Sequence, residues 1–179
     1  MTTEKGKRNI LCGTETVKHL KLDSYPSKAL EAGIYPGMLL ELSAAGVSKH
    51  STAGATDNPA VVFADKDVND PDSTVEMAYD VDSGVYAFQL QSGEVANVLV
   101  AAGVTIDRFG VPLTSAGDGH LRPAEADDDV IVCYADELIS SGATDRLVRV
   151  RVGQHGIAAG LYAGAQIIDY VANEDWPDA

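Results

Sequence analysis

Residues 86–100 read YAFQLQSGEVANVLV. Tyr86, Phe88 and Leu90 alternate with Ala87, Gln89 and Gln91, the period of a strand with one face toward a core. Ser92-Gly93 interrupts the run, and a second apolar stretch follows from Val95 to Val100. Outward from this pair the same grammar repeats. Residues 17–22, 38–42, 60–64, 130–134 and 147–152 are short apolar runs bounded by Gly, Pro, Asn or Asp. In the last of them Val148, Val150 and Val152 alternate with Arg149 and Arg151. Turn signals recur at Pro36-Gly37, Ala45-Gly46, Ser83-Gly84, Ser92-Gly93 and Asp118-Gly119, the last a two-residue hairpin signal. Many short strands with frequent turns predict an all-β fold, a small β-barrel or β-sandwich.

Helix signals are few. Residues 27–33 (SKALEAG) predict two helical turns, capped by Ser27 and stopped by Gly33. Residues 157–172 fit a helical face through Ile157, Leu161, Ile168 and Val171, but Gly156, Gly160 and Gly164 oppose it and 166–171 also reads as a strand. The resulting division is an N-terminal arm and lead-in at 1–35, a β-domain at 36–152 and a C-terminal extension at 153–179, ending in the acidic NEDWPDA.

The chain has 179 residues and is 45% hydrophobic, enough to bury a core. It carries 27 acids against 13 Lys and Arg, a net charge of −14, with an isoelectric point near 4.4. A nucleic-acid coat needs a basic footprint, so no nucleic-acid partner is expected. No apolar run reaches the roughly 18–20 residues of a membrane span, and no apolar segment follows the basic N-terminus as in a signal peptide. Cys12 and Cys133 are too few for a disulfide scaffold and read as buried thiols. Of the acids, 18 are Asp and 9 Glu, with 7 Lys, which fits a surface adapted to high salt. Residues 1–28 hold six cations and three acids, net +3, leaving −17 for the remainder. A segment of opposite sign is a candidate docking arm, with an incidental solvated tail as the alternative.

A search for chemistry finds little. His19, His50, His120 and His155 are widely spaced, with no HExxH, and no GxSxG or GxxxxGK[ST] occurs. Residues 65–76, DKDVNDPDSTVE, imitate an EF-hand loop, with Asp65, Asp67 and Asn69 at positions 1, 3 and 5 and Glu76 at 12. The glycine position is Asp70, which precedes Pro71 and is pushed toward extended backbone. A solvated aspartate loop is the preferred reading, with a loose cation site on Asp65, Asp67, Asn69 and Glu76 as the alternative. The run Asp127-Asp128-Asp129 is likewise expected to face water. No catalytic residue, metal or cofactor is expected. Arg149 and Arg151, on one strand face, are candidates for a subunit contact because Arg pairs bidentately with carboxylates.

Three stretches resemble a known family. Residues 36–60 read PGMLLELSAAGVSKHSTAGATDNPA, and residues 86–124 carry GEVANVLVAAG and GVPLTSAGDGHLR. Residues 141–152, SGATDRLVRVRV, close with alternating Val and Arg. This order resembles the small β-barrel or β-sandwich decoration (cement) proteins of tailed-virus heads. It covers roughly 36–152, apart from the acidic insertion at 65–76. The resemblance implies a structural virion protein rather than an enzyme, bound to the outer capsid surface and bridging major capsid protein subunits, commonly as a homotrimer. The aspartate excess fits a virus of a halophilic host, archaea being one such group. On that reading the arm would dock through Lys5, Lys7 and Arg8 and the apolar anchors Ile10, Leu11, Val17, Leu20 and Leu22. The alternatives are a carbohydrate- or cell-surface-binding β module and, behind it, a cupin-like enzyme. The first prefers exposed aromatics, here 6% of the chain, and the second a compact His/Glu set.

Overall fold

A computed structural model describes residues 19–20, 28–54, 61–67, 70–90, 92–126 and 129–153. The strands are β1 (His19–Leu20), β2 (Leu40–Ser43), β3 (Gly46–Lys49), β4 (Val62–Ala64) and β5 (Ala87–Gln89), then β6 (Val95–Val100), β7 (Pro112–Ser115), β8 (Leu121–Pro123), β9 (Cys133–Ala135) and β10 (Arg146–Arg151). There is no helix among the described residues, and the fold is all-β. β6 and β10 pair antiparallel along their whole length, from Arg146 opposite Val100 to Arg151 opposite Val95. With β8, β7 and β9 they close a barrel in the order β10-β6-β8-β7-β9, in which the contact between β6 and β8 is the one parallel pair. β1, β5 and β4 form a three-stranded sheet, and β2 and β3 a hairpin.

The pleat sorts side chains into two cores. Phe63 on β4 and Phe88 on β5 face the barrel-side core, their ring centroids 5.8 Å apart. Their neighbours Val62, Ala64 and Ala87 point the other way, into a second core with Ile34, Leu40 and Val47. Successive residues on a strand alternate faces, so the sheet is buried on both sides. Each buried Phe contributes on the order of 1.5–3 kcal/mol. The expected one-sided alternation on residues 86–91 is therefore incomplete, because Ala87 is as buried as Phe88.

Residues 36–39 join the two layers. The Gly37 N–H donates to Ala64 O and its carbonyl accepts from Leu99 N–H, both at 2.8 Å. Leu39 N–H donates to Gly119 O. Gly37 has φ +88°, and a Cβ there would lie 2.8 Å from Leu147 Cδ2 and 3.2 Å from the Leu99 amide nitrogen. Only glycine fits a left-handed backbone pressed so closely on two strands.

Three expectations change. The two helical turns at 27–33 do not form over the described residues. Lys28 bridges Gly84, Ala29 bridges Val47, and Leu30 N–H donates to Val47 O, so tertiary partners satisfy the backbone that so short a helix would have to satisfy alone. Ala29 and Ile34 are fully buried, so the packed body begins before Pro36. The Asp118-Gly119 hairpin is not a two-residue turn. Residues 116–120 span Ser115 and Leu121, with Gly117 and Gly119 both at positive φ. Residues 157–172 lie outside the described residues.

Candidate functional site

Arg149 and Arg151 project from the outer face of β10, half-exposed, while Val148 and Val150 are fully buried. Neither guanidinium is idle. Asp136 Oδ2 lies 3.3 Å from Arg149 Nε and 3.4 Å from Arg151 Nη2. Arg149 Nη2 also donates to Asp136 O, and its backbone N–H to Glu137 Oε2. The two arginines thus fasten the connection after β9 to β10 and leave part of each fork for another surface.

Of the docking-arm residues, Leu20 lies on β1, opposite Ala87 of β5. Lys5, Lys7, Arg8, Ile10, Leu11, Val17 and Leu22 lie outside the described residues. β1 is an edge strand of a packed sheet, so the arm as drawn from the sequence overlaps the folded body at its C-terminal end.

Of the EF-hand-like residues, Asp65, Asp67 and Glu76 are described. Asp65 is 5% exposed; its Oδ1 accepts from Lys66 N–H and its carbonyl from Tyr79 Oη at 2.7 Å. Burial pushes the Tyr79 hydroxyl well above the usual phenol range. Asp67 N–H donates to Ser73 Oγ, and Asp70 Oδ1 accepts from Asp72 N–H, a local Asx turn. Glu76 is exposed, and Asn69 lies outside the described residues. Among the described residues no group of three or more His, Cys, Asp or Glu could hold a metal ion.

The acidic run at 127–129 departs from the water-facing expectation. Asp129 is 3% exposed and accepts from Arg122 Nη1 and Nη2 at 3.0 and 3.1 Å and from the N–H groups of Glu125 and Ala126. Burial alone would raise its pKa. Arg122 and the two amides outweigh that and hold the carboxyl below its ordinary value. Asp127 and Asp128 lie outside the described residues.

Two of the widely spaced histidines, His50 and His120, are buried beside partners that their spacing does not reveal. His50 Nδ1 lies 2.9 Å from Ser115 Oγ, the contact that in hydrolases pairs a base with a nucleophile. Here both residues are buried, and Ser115 Oγ also accepts from Gly117 N–H, so the pair fixes the β7–β8 turn. His120 sits between two carboxylates, with Nδ1 3.0 Å from Asp118 Oδ1 and Nε2 3.3 Å from Asp145 Oδ2. Burial opposes ionisation of Asp118, yet the backbone N–H and ring of His120 hold its carboxyl below the usual value. Asp145 Oδ1 accepts from Ala102 N–H, so this cluster ties three connections together at one end of the barrel. Cys133 is fully buried, and burial raises its thiol far above the reactive range.

The described surface also exposes five large apolar side chains: Leu30, Met77, Val81, Phe109 and Leu138. Phe109 is 64% exposed, at the tip of the connection between β6 and β7. Taken together, the buried polar groups staple turns, and the features left open to a partner are apolar side chains with charged neighbours. No protein-family model matches the chain, and no curated protein matches it.

Proposed function

We propose that this chain is a structural virion protein that decorates the outer surface of a tailed-virus capsid and bridges major capsid protein subunits, itself associating as a homotrimer. The observation that carries the reading is the order of motifs along the chain and their use in the fold. Residues 36–39 form the seam between layers, GEVANVLV supplies β6, GVPLTSAGDGHLR supplies the β7–β8 hairpin, and LVRVR supplies β10. The stretches that resemble decoration proteins supply four of the five barrel strands, β6, β7, β8 and β10, and the separate β2–β3 hairpin. The acidic body suits a saline medium, and many copies on one lattice bind by avidity without strong single contacts.

The test is co-sedimentation of the purified protein with assembled shells lacking it, in molar salt. Saturable binding at a fixed ratio to the major capsid protein is expected. Failure to bind shells of any tailed virus from its host would remove the reading. A carbohydrate- or cell-surface-binding module draws support from Phe109 alone, and a glycan array with Phe109→Ala as control tests it.

A further inference from the structure

The barrel has one short seam. β6 and β8 run parallel and share a single register pair, Val100 opposite Leu121, with Ala101 N–H donating to Leu121 O at 3.0 Å just beyond it. Every other contact of the barrel is antiparallel and at least two residue pairs long, and parallel pairing is the less stable kind per residue. His120 stands at the end of this seam, directly before Leu121, its side chain 11% exposed. Its Nδ1 is 3.0 Å from Asp118 Oδ1 on its own turn, and its Nε2 is 3.3 Å from Asp145 Oδ2 on the lead into β10. Asp145 Oδ1 in turn accepts from the N–H of Ala102, the second residue past β6, at 2.9 Å. The ring therefore reaches across the seam, from the β8 side to the β6 and β10 side.

A neutral imidazole has one N–H and one bare nitrogen, so it can answer one carboxylate and must turn a lone pair on the other. A ring between two carboxylates is matched when both nitrogens carry protons. The carboxylates approach at ion-pair distance but off the line of the N–H bonds, so charge rather than bond direction holds the ring. The other charged and titratable groups at this end turn elsewhere. The stem of Lys49 packs beside Gly119, but its ammonium pairs with Glu31 Oε2 at 3.2 Å. His50 accepts Gly119 N–H on its carbonyl and keeps its ring on Ser115 Oγ. Arg122 pairs with Asp129, and the Arg146 guanidinium donates to Ser140 O.

We infer that His120 is a proton-operated latch on the β6–β8 seam. With both nitrogens protonated, the ring holds Asp118 and Asp145 together across the seam. When it gives up one proton, a bare nitrogen faces a carboxylate oxygen, one of the two is left unanswered, and the seam loosens. The latch is thus closed while the ring is charged and opens as pH rises and the ring loses its charge. Asp118 sets the opposite limit. Burial opposes its ionisation, but the amide and ring of His120 hold its folded carboxyl below the ordinary value of 3.8. Its share is full above that value and is lost as pH falls through the lower, folded one. The device needs neither shell nor partner, so shell binding can fail while the latch stands.

Amide hydrogen exchange on the full chain, read residue by residue as protection factors, tests it between about pH 5 and pH 8, the interval in which an imidazole changes charge. In wild type, protection of the Ala101 and Ala102 amides should fall by about fivefold as pH rises, the size of a partly exposed ion pair. The Leu99 amide, bonded to Gly37 O on the same strand, should not change with them. In His120→Gln the two seam amides should already be less protected at the acid end and stay flat across the interval. Asp145→Asn keeps an acceptor for Ala102 N–H and offers a donor to a neutral ring, so the His120 ring signal in proton NMR should titrate at lower pH than in wild type. If His120→Gln does not fold, the ring titrations of wild type and Asp145→Asn decide the matter. Seam protection that is flat in wild type overturns the inference, as does a ring titration that Asp145→Asn leaves in place. A fall that persists in His120→Gln belongs to His50 and overturns it too.

Discussion

Asp129 gathers four N–H donors on one buried carboxylate, and its substitution tests how far one residue holds the barrel's polar end. Arg122 is seven positions away in sequence, and the amides of Glu125 and Ala126 complete the shell. Asp129→Asn keeps the shape but removes the charge from a buried pair, leaving Arg122 partly buried without its counter-ion. Loss of one partner from such a pair costs about 3 kcal/mol, to be read as a shift in the denaturant midpoint at neutral pH. The pH dependence follows from the direction of the shift. The folded carboxyl titrates below its ordinary value near 3.8. Its contribution is therefore full above that value and is lost as pH falls through the lower, folded one. Wild type should lose stability on that acid limb, and the variant should show a flatter one. Parallel limbs would show that Asp129 carries no such linkage. None of this was legible beforehand, because three adjacent aspartates look alike and only the fold turns the third one inward.

At the scale of elements, the sequence was readable where a strand carries its own alternation or apolar run. β5, β6 and β10 are of that kind, and the barrel hinges on the last two. β3, β7 and β8 escaped the periodicity reading. PLTS is buried at every position and begins with proline, while LRP is three residues long and ends with it, so neither shows a period of two. The β7–β8 hairpin was recognisable through its motif and the Asp118-Gly119 turn signal, not through periodicity. β1 shows the reverse case: the apolar run at 17–22 announced a strand, but its sheet partner lies at Ala87–Gln89, far along the chain. That pairing sets the truncation to make. Removing residues 1–17 spares β1, whereas removing 1–22 strips an edge strand from β5. The shorter deletion should keep the wild-type thermal midpoint and, if the arm anchors the protein, abolish shell binding. The longer one should lower the midpoint by several degrees, as loss of about 1–2 kcal/mol does in a domain of this size, with the β circular dichroism retained. Equal midpoints would mean that β1 contributes nothing to stability.

For the molecule as a whole, a net charge of −14 repels itself in dilute buffer. The screening length falls from about 10 Å at 0.1 M salt to about 3 Å at 1 M, which removes most of that repulsion while leaving the buried Arg122–Asp129 pair less affected. The unfolding temperature should therefore rise between dilute and molar KCl; a flat or falling profile would count against the saline reading of the surface. Closure of the barrel carries a consequence of another kind. β10 is the last described strand in the chain, yet it supplies the full-length partner of β6 and the link to β9. Before β10 is available, β6 is paired with the barrel only through Val100 opposite Leu121. During synthesis its VANVLV edge leaves the ribosome well ahead of the segment that will cover it. Long-range pairings of this sort fold slowly and leave strand edges open meanwhile. A nascent chain halted before Arg146 would thus not be a smaller barrel but an unclosed one, with an adhesive edge for any neighbouring polysome product to find.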